Sequence, residues 1–180
     1  MTQPSKLPRR SLLLGATAIA GATAFWALPG RADPPALLPK SKRADHVLIE
    51  KAARRLTLFR KGKTIATYRI ALGFEPAGDK EREGDGKTPE GIYRVDRRND
   101  QSMYYLSIGI DYPRPDQRRA ARAAGRDPGG DIFIHGQPHR QKSMPALPYD
   151  WTAGCAAVSN SEMDEIWQRV AIGTKVEIRP

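Results

Sequence analysis

Cysteine is nearly missing from this chain: the 180 residues hold one, Cys155. A lone cysteine cannot close an internal disulfide, which excludes a disulfide-stapled fold. Histidine is almost as scarce, with three in all, and one cysteine plus three histidines make no zinc site, so no metal is expected. Acidic residues are in deficit as well, 20 against 30 Lys and Arg. Repeats and low-complexity tracts are lacking, and beyond Leu28 there is no long apolar run, so no stable membrane span is expected in the body of the chain. No nucleic-acid motif accompanies the basic excess, so nucleic acid is not an expected partner. The glycine-rich run Glu83-Gly84-Asp85-Gly86-Lys87 has neither EF-hand nor Walker spacing and reads as a tight turn, with Asp85 or Lys87 as minor candidates for touching a ligand.

What is present begins with a targeting pattern. Lys6, Arg9 and Arg10 form a basic start without acids, Ser11 to Leu28 is apolar or small, and Gly30-Arg31-Ala32 supplies small residues for cleavage. Residues 1–32 are therefore read as a signal peptide. Pro8-Arg9-Arg10-Ser11-Leu12-Leu13-Leu14 makes it twin-arginine-like, and no cysteine follows to mark a lipoprotein. An uncleaved anchor is the alternative, although alanine, glycine and threonine make the stretch a weak span. Export to the periplasm or cell envelope of a bacterium is the expectation. Without residues 1–32 the chain keeps 148 residues, 26 of them basic and 20 acidic, a length that suits one domain and a net charge that suits work beside anionic cell-envelope polymers. A free thiol kept in an oxidising compartment asks for a chemical reason, and nucleophilicity is one.

Residues 33–45, with Pro34, Pro35 and Pro39, read as an extended linker, and residues 46–180 as the domain. Val47 and Ile49, then Leu56 and Leu58, then Ile65 to Leu72 across a Lys61-Gly62 turn, predict a hairpin-rich start. Ile92 to Asp96 predicts another strand. Alternation over Tyr104–Asp111 predicts a strand with one buried face. Arg114 to Arg126 reads as a short exposed helix whose arginines either grip anions or simply face water. Ser159 and Glu162 have capping-box spacing, and Met163, Ile166, Trp167 and Val170 form one apolar helix stripe, with a last strand at Val176 and Ile178. The whole is mainly β with one or two short helices.

The chemistry is placed in Ile132–Asn160. Ile132, Phe133 and Ile134 predict a short buried strand that delivers His135 to its end, and Gly136 opens a loop running to Trp151. Thr152-Ala153-Gly154-Cys155 then allows a tight turn whose N–H groups can face an oxyanion beside the sulfur. This is the layout of a thiol acyl-transfer site. The plain alternatives are a buried structural cysteine and a structural histidine; His46, with no partner near it in sequence, is read as structural.

His135, Thr152, Gly154 and Cys155, with sixteen residues between His135 and Thr152, resemble the signature of the L,D-transpeptidase catalytic domain family, in its Trp-Thr-x-Gly-Cys branch. Ala153 replaces the family's usual histidine, and Ala156-Ala157 stands where many members carry a branched apolar residue and then arginine. The resemblance spans roughly Asp45 to Pro180, including Thr88-Pro89-Glu90-Gly91. It implies a compact, β-sandwich-like fold and peptidoglycan stem peptides as substrate, with no cofactor. Cys155 would attack as thiolate and His135 would serve as general base and acid. By the same resemblance the Gly136 carbonyl would orient His135. The N–H groups of Cys155, Gly154 and Ala153 would hold the oxyanion, and Trp151, Thr152 and His139 are candidate substrate contacts, His139 being also the second choice of base. Three outcomes stay open: crosslinking, hydrolysis by an L,D-carboxypeptidase or amidase, and a non-catalytic cell-wall binding module.

Overall fold

The structure, a computed structural model, describes residues 33–138 and 145–180. Strands β1 (His46–Glu50), β2 (Arg55–Arg60) and β3 (Lys63–Arg69) form an antiparallel meander. Lys61 and Gly62 join β2 to β3 with φ of 47° and 74°. Two positive-φ residues give a turn whose twist matches the paired strands, and glycine takes the second place without a Cβ clash. Val47, Ile49, Leu56 and Leu58 point into the core.

The remaining strands are β4 (Gly91–Asn99), β5 (Ser107–Ile110), β6 (Phe133–His135), β7 (Ala156–Ala157) and β8 (Lys175–Arg179), in the order β3-β2-β1-β8-β4-β5-β6-β7. β4 serves two neighbours: its first four residues pair with β8 and its last with β5, and the register shifts between Val95 and Arg97. Such a bulged strand turns a corner between two sheet layers. The ends of the strand order then meet, because Ala71, just past β3, and Ala157 of β7 exchange both backbone hydrogen bonds (2.9 and 2.8 Å). The sheet curls round one core that includes Tyr93, Ile108, Ile134 and Ile166. This is the mainly β, sandwich-like architecture expected.

One strand departs from expectation. Alternation over Tyr104–Asp111 predicts a half-exposed strand, yet β5 starts only at Ser107 and all four of its residues are buried. β4 and β6 pair with the two edges of β5 and α2 packs against it, so it is enclosed; Tyr105, at φ 68°, leaves the extended region and ends the pattern early. Tyr104 is thereby set free to serve the cleft described below.

Two α-helices pack beside the sheet: α1 (Pro115–Ala123) and α2 (Asn160–Arg169). Ser159 caps α2, accepting the Glu162 N–H (3.3 Å) while the Glu162 carboxylate accepts the Ser159 N–H (2.9 Å). Met163, Ile166, Trp167 and Val170 are buried as a stripe, each contributing roughly 2 kcal/mol of apolar burial. α1 starts with proline, whose fixed φ suits a first helical turn, and buries only Ala121. In the stretch ahead of β1, Leu38 and Ala44 donate their N–H groups to the Gln168 and Arg169 carbonyls (both 2.9 Å), tying it to the end of α2. Among the described residues no helix is long and apolar enough to cross a membrane.

Candidate active site

β6 and β7 are parallel neighbours, with Ile134 level with Ala156 and His135 level with Ala157. That register carries Cys155, one residue before β7, to the level of Phe133. The Phe133 N–H donates to Cys155 Sγ (3.4 Å), and the thiol S–H donates to the Asp131 carbonyl (3.5 Å). His135 and Cys155 line one cleft of about 520 Å³, together with Ser102, Tyr104, Trp151 and Ala153.

The turn before Cys155 is built by Thr152. Its hydroxyl donates to the Cys155 carbonyl (2.8 Å) and accepts the Gly154 N–H (3.1 Å). Its backbone bridges to the loop after β3, donating to the Leu72 carbonyl (3.1 Å) and accepting from Phe74 (2.9 Å). Gly154 sits at φ 134°, and a Cβ there would lie 2.7 Å from the Lys87 carbonyl oxygen, so strain and space both require glycine. Ala153 is exposed at the tip, whereas Ala157 is fully buried.

His135 is 3% exposed. Its Nδ1 lies 2.7 Å from the Gly136 carbonyl oxygen. A carbonyl can only accept, so Nδ1 carries the proton and the Nε2 lone pair is left for the cleft. Gly136 is itself wedged in place: a Cβ there would meet Asn160 Oδ1 at 2.4 Å. The imidazole stacks on Tyr104 (4.7 Å between centroids) and meets Trp151 edge-on (5.6 Å). Burial lowers the His135 pKa to about 4, partly opposed by the Gly136 hydrogen bond. Burial pushes the Cys155 thiol up to about 11, partly opposed by the Phe133 N–H. At neutral pH both side chains lining the cleft are therefore uncharged, a thiol and an imidazole.

His135, Trp151, Thr152, Ala153 and Cys155 thus line one cleft, while Gly136 and Gly154 lie behind it, bonded to His135 and Thr152. His139 lies outside the described residues. His46 is elsewhere, stacked on Phe59 (5.5 Å) with its Nε2 at 3.2 Å from Glu177. Asp85 organises its own loop: although its burial alone would raise its pKa, Lys80 (2.7 Å) and the N–H groups of Arg82, Glu81 and Lys87 hold the carboxyl well below the usual range. Among the described residues no group of three or more His, Cys, Asp or Glu could hold a metal ion.

Sequence reasoning missed two supports. Tyr104 stacks on His135 from 31 residues away, and the strand pattern concealed it. Asp150 anchors the loop that carries Trp151: its carboxylate accepts two Arg54 N–H groups (3.0 and 2.8 Å) and the Leu72 N–H (2.8 Å). No local pattern pairs Asp150 with Arg54, 96 positions apart.

With this geometry in view, the comparisons with known proteins agree. A sequence profile described as the L,D-transpeptidase catalytic domain matches residues 44–178. The Escherichia coli K12 protein named "Putative L,D-transpeptidase YafK" is 32% identical over 131 residues, covering 69% of this chain and 46% of that protein. The crystal structure of the helical cell shape determining protein Pgp2 from Campylobacter jejuni superposes with a TM-score of 0.59 at 27% identity, covering 76% of this chain and 47% of Pgp2. The L,D-transpeptidase from Xylanimonas cellulosilytica has the same fold, with a TM-score of 0.53 at 20% identity over 78% of this chain and 63% of that one. This chain spans about half the length of YafK and of Pgp2. A single curled sheet that sets His135 level with the residue two past Cys155, together with the profile match over three quarters of the sequence, makes this chain a member of the L,D-transpeptidase catalytic domain family.

Proposed function

We propose that this protein is an exported cysteine acyltransferase acting on peptidoglycan stem peptides, with Cys155 as nucleophile and His135 as general base. The observation that carries the reading is the cleft shared by a half-buried thiol and an imidazole whose Nδ1 proton is held by the Gly136 carbonyl. A histidine so held presents its Nε2 lone pair as the base. Family membership supplies the substrate class, and it also supports a place of action at the cell wall. Residues 1–32 as signal, 33–45 as linker and 46–180 as catalytic domain complete the proposal.

The electrostatics dictate the order of events. A thiol with its pKa near 11 that shares a cleft with an imidazole of pKa near 4 does not form a resting ion pair with it. Proton transfer to Nε2 therefore accompanies attack on the substrate carbonyl, when the substrate covers the cleft and negative charge moves from sulfur to the oxyanion. The imidazolium next protonates the departing amine, leaving a thioester on Cys155. Because the Gly154 N–H is already bonded to Thr152, the N–H groups of Ala153 and Cys155 are the proposed oxyanion donors, each worth roughly 3 kcal/mol. Thr152 acts by holding this turn, and Trp151 and Tyr104 act by holding the imidazole plane.

An amine that resolves the thioester gives a crosslink; water gives a carboxylate. The deciding experiment incubates the protein with stem peptides, with and without an amine acceptor, and weighs the products. Exchanged or crosslinked product is expected with the acceptor. Cleavage indifferent to added amine would replace transfer by the hydrolase reading, and no product from any muropeptide would leave a binding module.

A further inference from the structure

A larger pocket, of about 940 Å³, adjoins the cleft between α1, β4 and the 125–131 loop. Arg114, Arg118, Arg122 and Arg126 line it; Arg118 and Arg122 lie within α1, four residues apart and so on one side of the helix, while Arg114 caps its start and Arg126 follows its end. The outer two are engaged. Arg114 donates to the Ile92 carbonyl (2.9 Å) and to Asp116 (3.2 Å), and Arg126 to Glu81 (2.7 Å). The ion pairs among the described residues leave Arg118 and Arg122 out, although both are exposed and line the pocket. Like charges four residues apart in a helix repel one another, and among the described residues the aspartates that line the same pocket form no ion pair with either guanidinium. An anion bound between the two arginines would offset that repulsion.

The pocket reaches the nucleophile through one residue. Asp131 lines both cavities, and its carbonyl accepts the Cys155 S–H (3.5 Å). Its carboxylate binds Arg97 (2.8 Å), whose guanidinium lies 4.5 Å over the Phe133 ring beside the thiol. A ligand running from Cys155 across Asp131 arrives at Arg118 and Arg122. The wall is also acidic in places, since Asp96, Asp111, Asp127 and Asp131 line it. Repeated phosphates along a polymer would meet these carboxylates at close range, whereas one or two carboxylates can dock in the guanidinium forks alone.

We propose that this pocket is a carboxylate-binding subsite for a peptide substrate, with Arg118 and Arg122 as its specificity-determining residues. Calling the peptide a substrate rests on the acyl-transfer reading of Cys155; the anion site does not. The test therefore uses the full chain with Cys155→Ala, so that binding is read without turnover. An acetylated tripeptide of alanine, glutamate and alanine, with both carboxylates free, is titrated by calorimetry beside its glutamine, carboxamide-ended counterpart. Inorganic polyphosphate is the third arm.

The free-carboxylate peptide is expected to bind at least about tenfold more tightly than the amide, and Arg118→Gln with Arg122→Gln to remove that difference. Gln keeps helix propensity close to that of Arg, and unchanged iodoacetamide labelling of Cys155 in the double variant of the otherwise native chain checks the fold. Equal affinity for acid and amide, no binding of either, or a preference that survives the double variant would overturn the subsite. Polyphosphate bound more tightly through the same two arginines would overturn the peptide assignment. Arginine-dependent peptide binding in Cys155→Ala, with no acyl adduct on Cys155 when the native chain is incubated with stem peptide, would keep the subsite and sink the acyl-transfer reading instead.

Discussion

The two helices have similar lengths and opposite uses. α2 is capped by the reciprocal Ser159 and Glu162 bonds and buries Met163, Ile166 and Trp167, so its side chains work for the core. α1 buries Ala121 alone and turns its arginines to a pocket that reaches the candidate active site. A helix that contributes so little burial is not explained by packing, and the difference separates residues that hold the fold from residues available to a ligand. His135 stands between these cases, buried like a core residue yet holding a free Nε2 toward the cleft.

The largest effect should fall on α2. Trp167, 6% exposed, carries the Arg98 guanidinium over its ring at 3.8 Å, and Trp167→Ala is expected to lower unfolding free energy by about 3–5 kcal/mol in a urea titration. A loss below about 1 kcal/mol would mean that α2 is not anchored as described.

The intermediate effect belongs to His135 and depends on pH. Its folded-state pKa of about 4 lies below the ordinary value of 6.5, so the unfolded chain binds the extra proton first as pH falls. The stability that rests on the neutral imidazole is complete above about pH 6.5 and drains away towards pH 4. From pH 7 to 4.5 the native protein should lose about 2 kcal/mol that His135→Asn does not lose. Identical pH profiles for the two proteins would place His135 in water. Glu177, held down to about 2 by Lys175 and Arg179, titrates in a lower window and does not confuse the result.

The smallest effect belongs to α1. Arg118→Gln with Arg122→Gln should leave stability within about 0.5 kcal/mol of native, because both are exposed and, among the described residues, in no ion pair. A loss comparable to that of Trp167→Ala would make α1 a second structural helix and blur the comparison.

The sequence was most legible where structure is local. The capping box, the apolar stripe of α2 and the Lys61-Gly62 hairpin are short-range patterns, and each forms where its residues predict. Ile132–Ile134 could deliver His135 for the same reason, since three apolar β-formers need only one neighbouring strand. Reading failed where tertiary contacts set the outcome. β5 alternates in sequence but is covered on both faces, and Tyr104 reaches His135 only because Tyr105 bends the chain. The Asp150–Arg54 anchor and the pocket under α1 join distant segments, and the arginine run by itself does not distinguish a ligand wall from a solvated face.

The central claim is a covalent one, that Cys155 carries the acyl group of the donor peptide with His135 as its base. It is tested most directly by acid-quenching the protein during turnover of a stem peptide and locating any added mass by peptide mapping. The expected result is one acyl adduct, on Cys155, removed by hydroxylamine as a thioester is, absent from Cys155→Ala and strongly reduced in His135→Ala. Turnover that persists in Cys155→Ala, or an adduct on any other residue, would contradict the account.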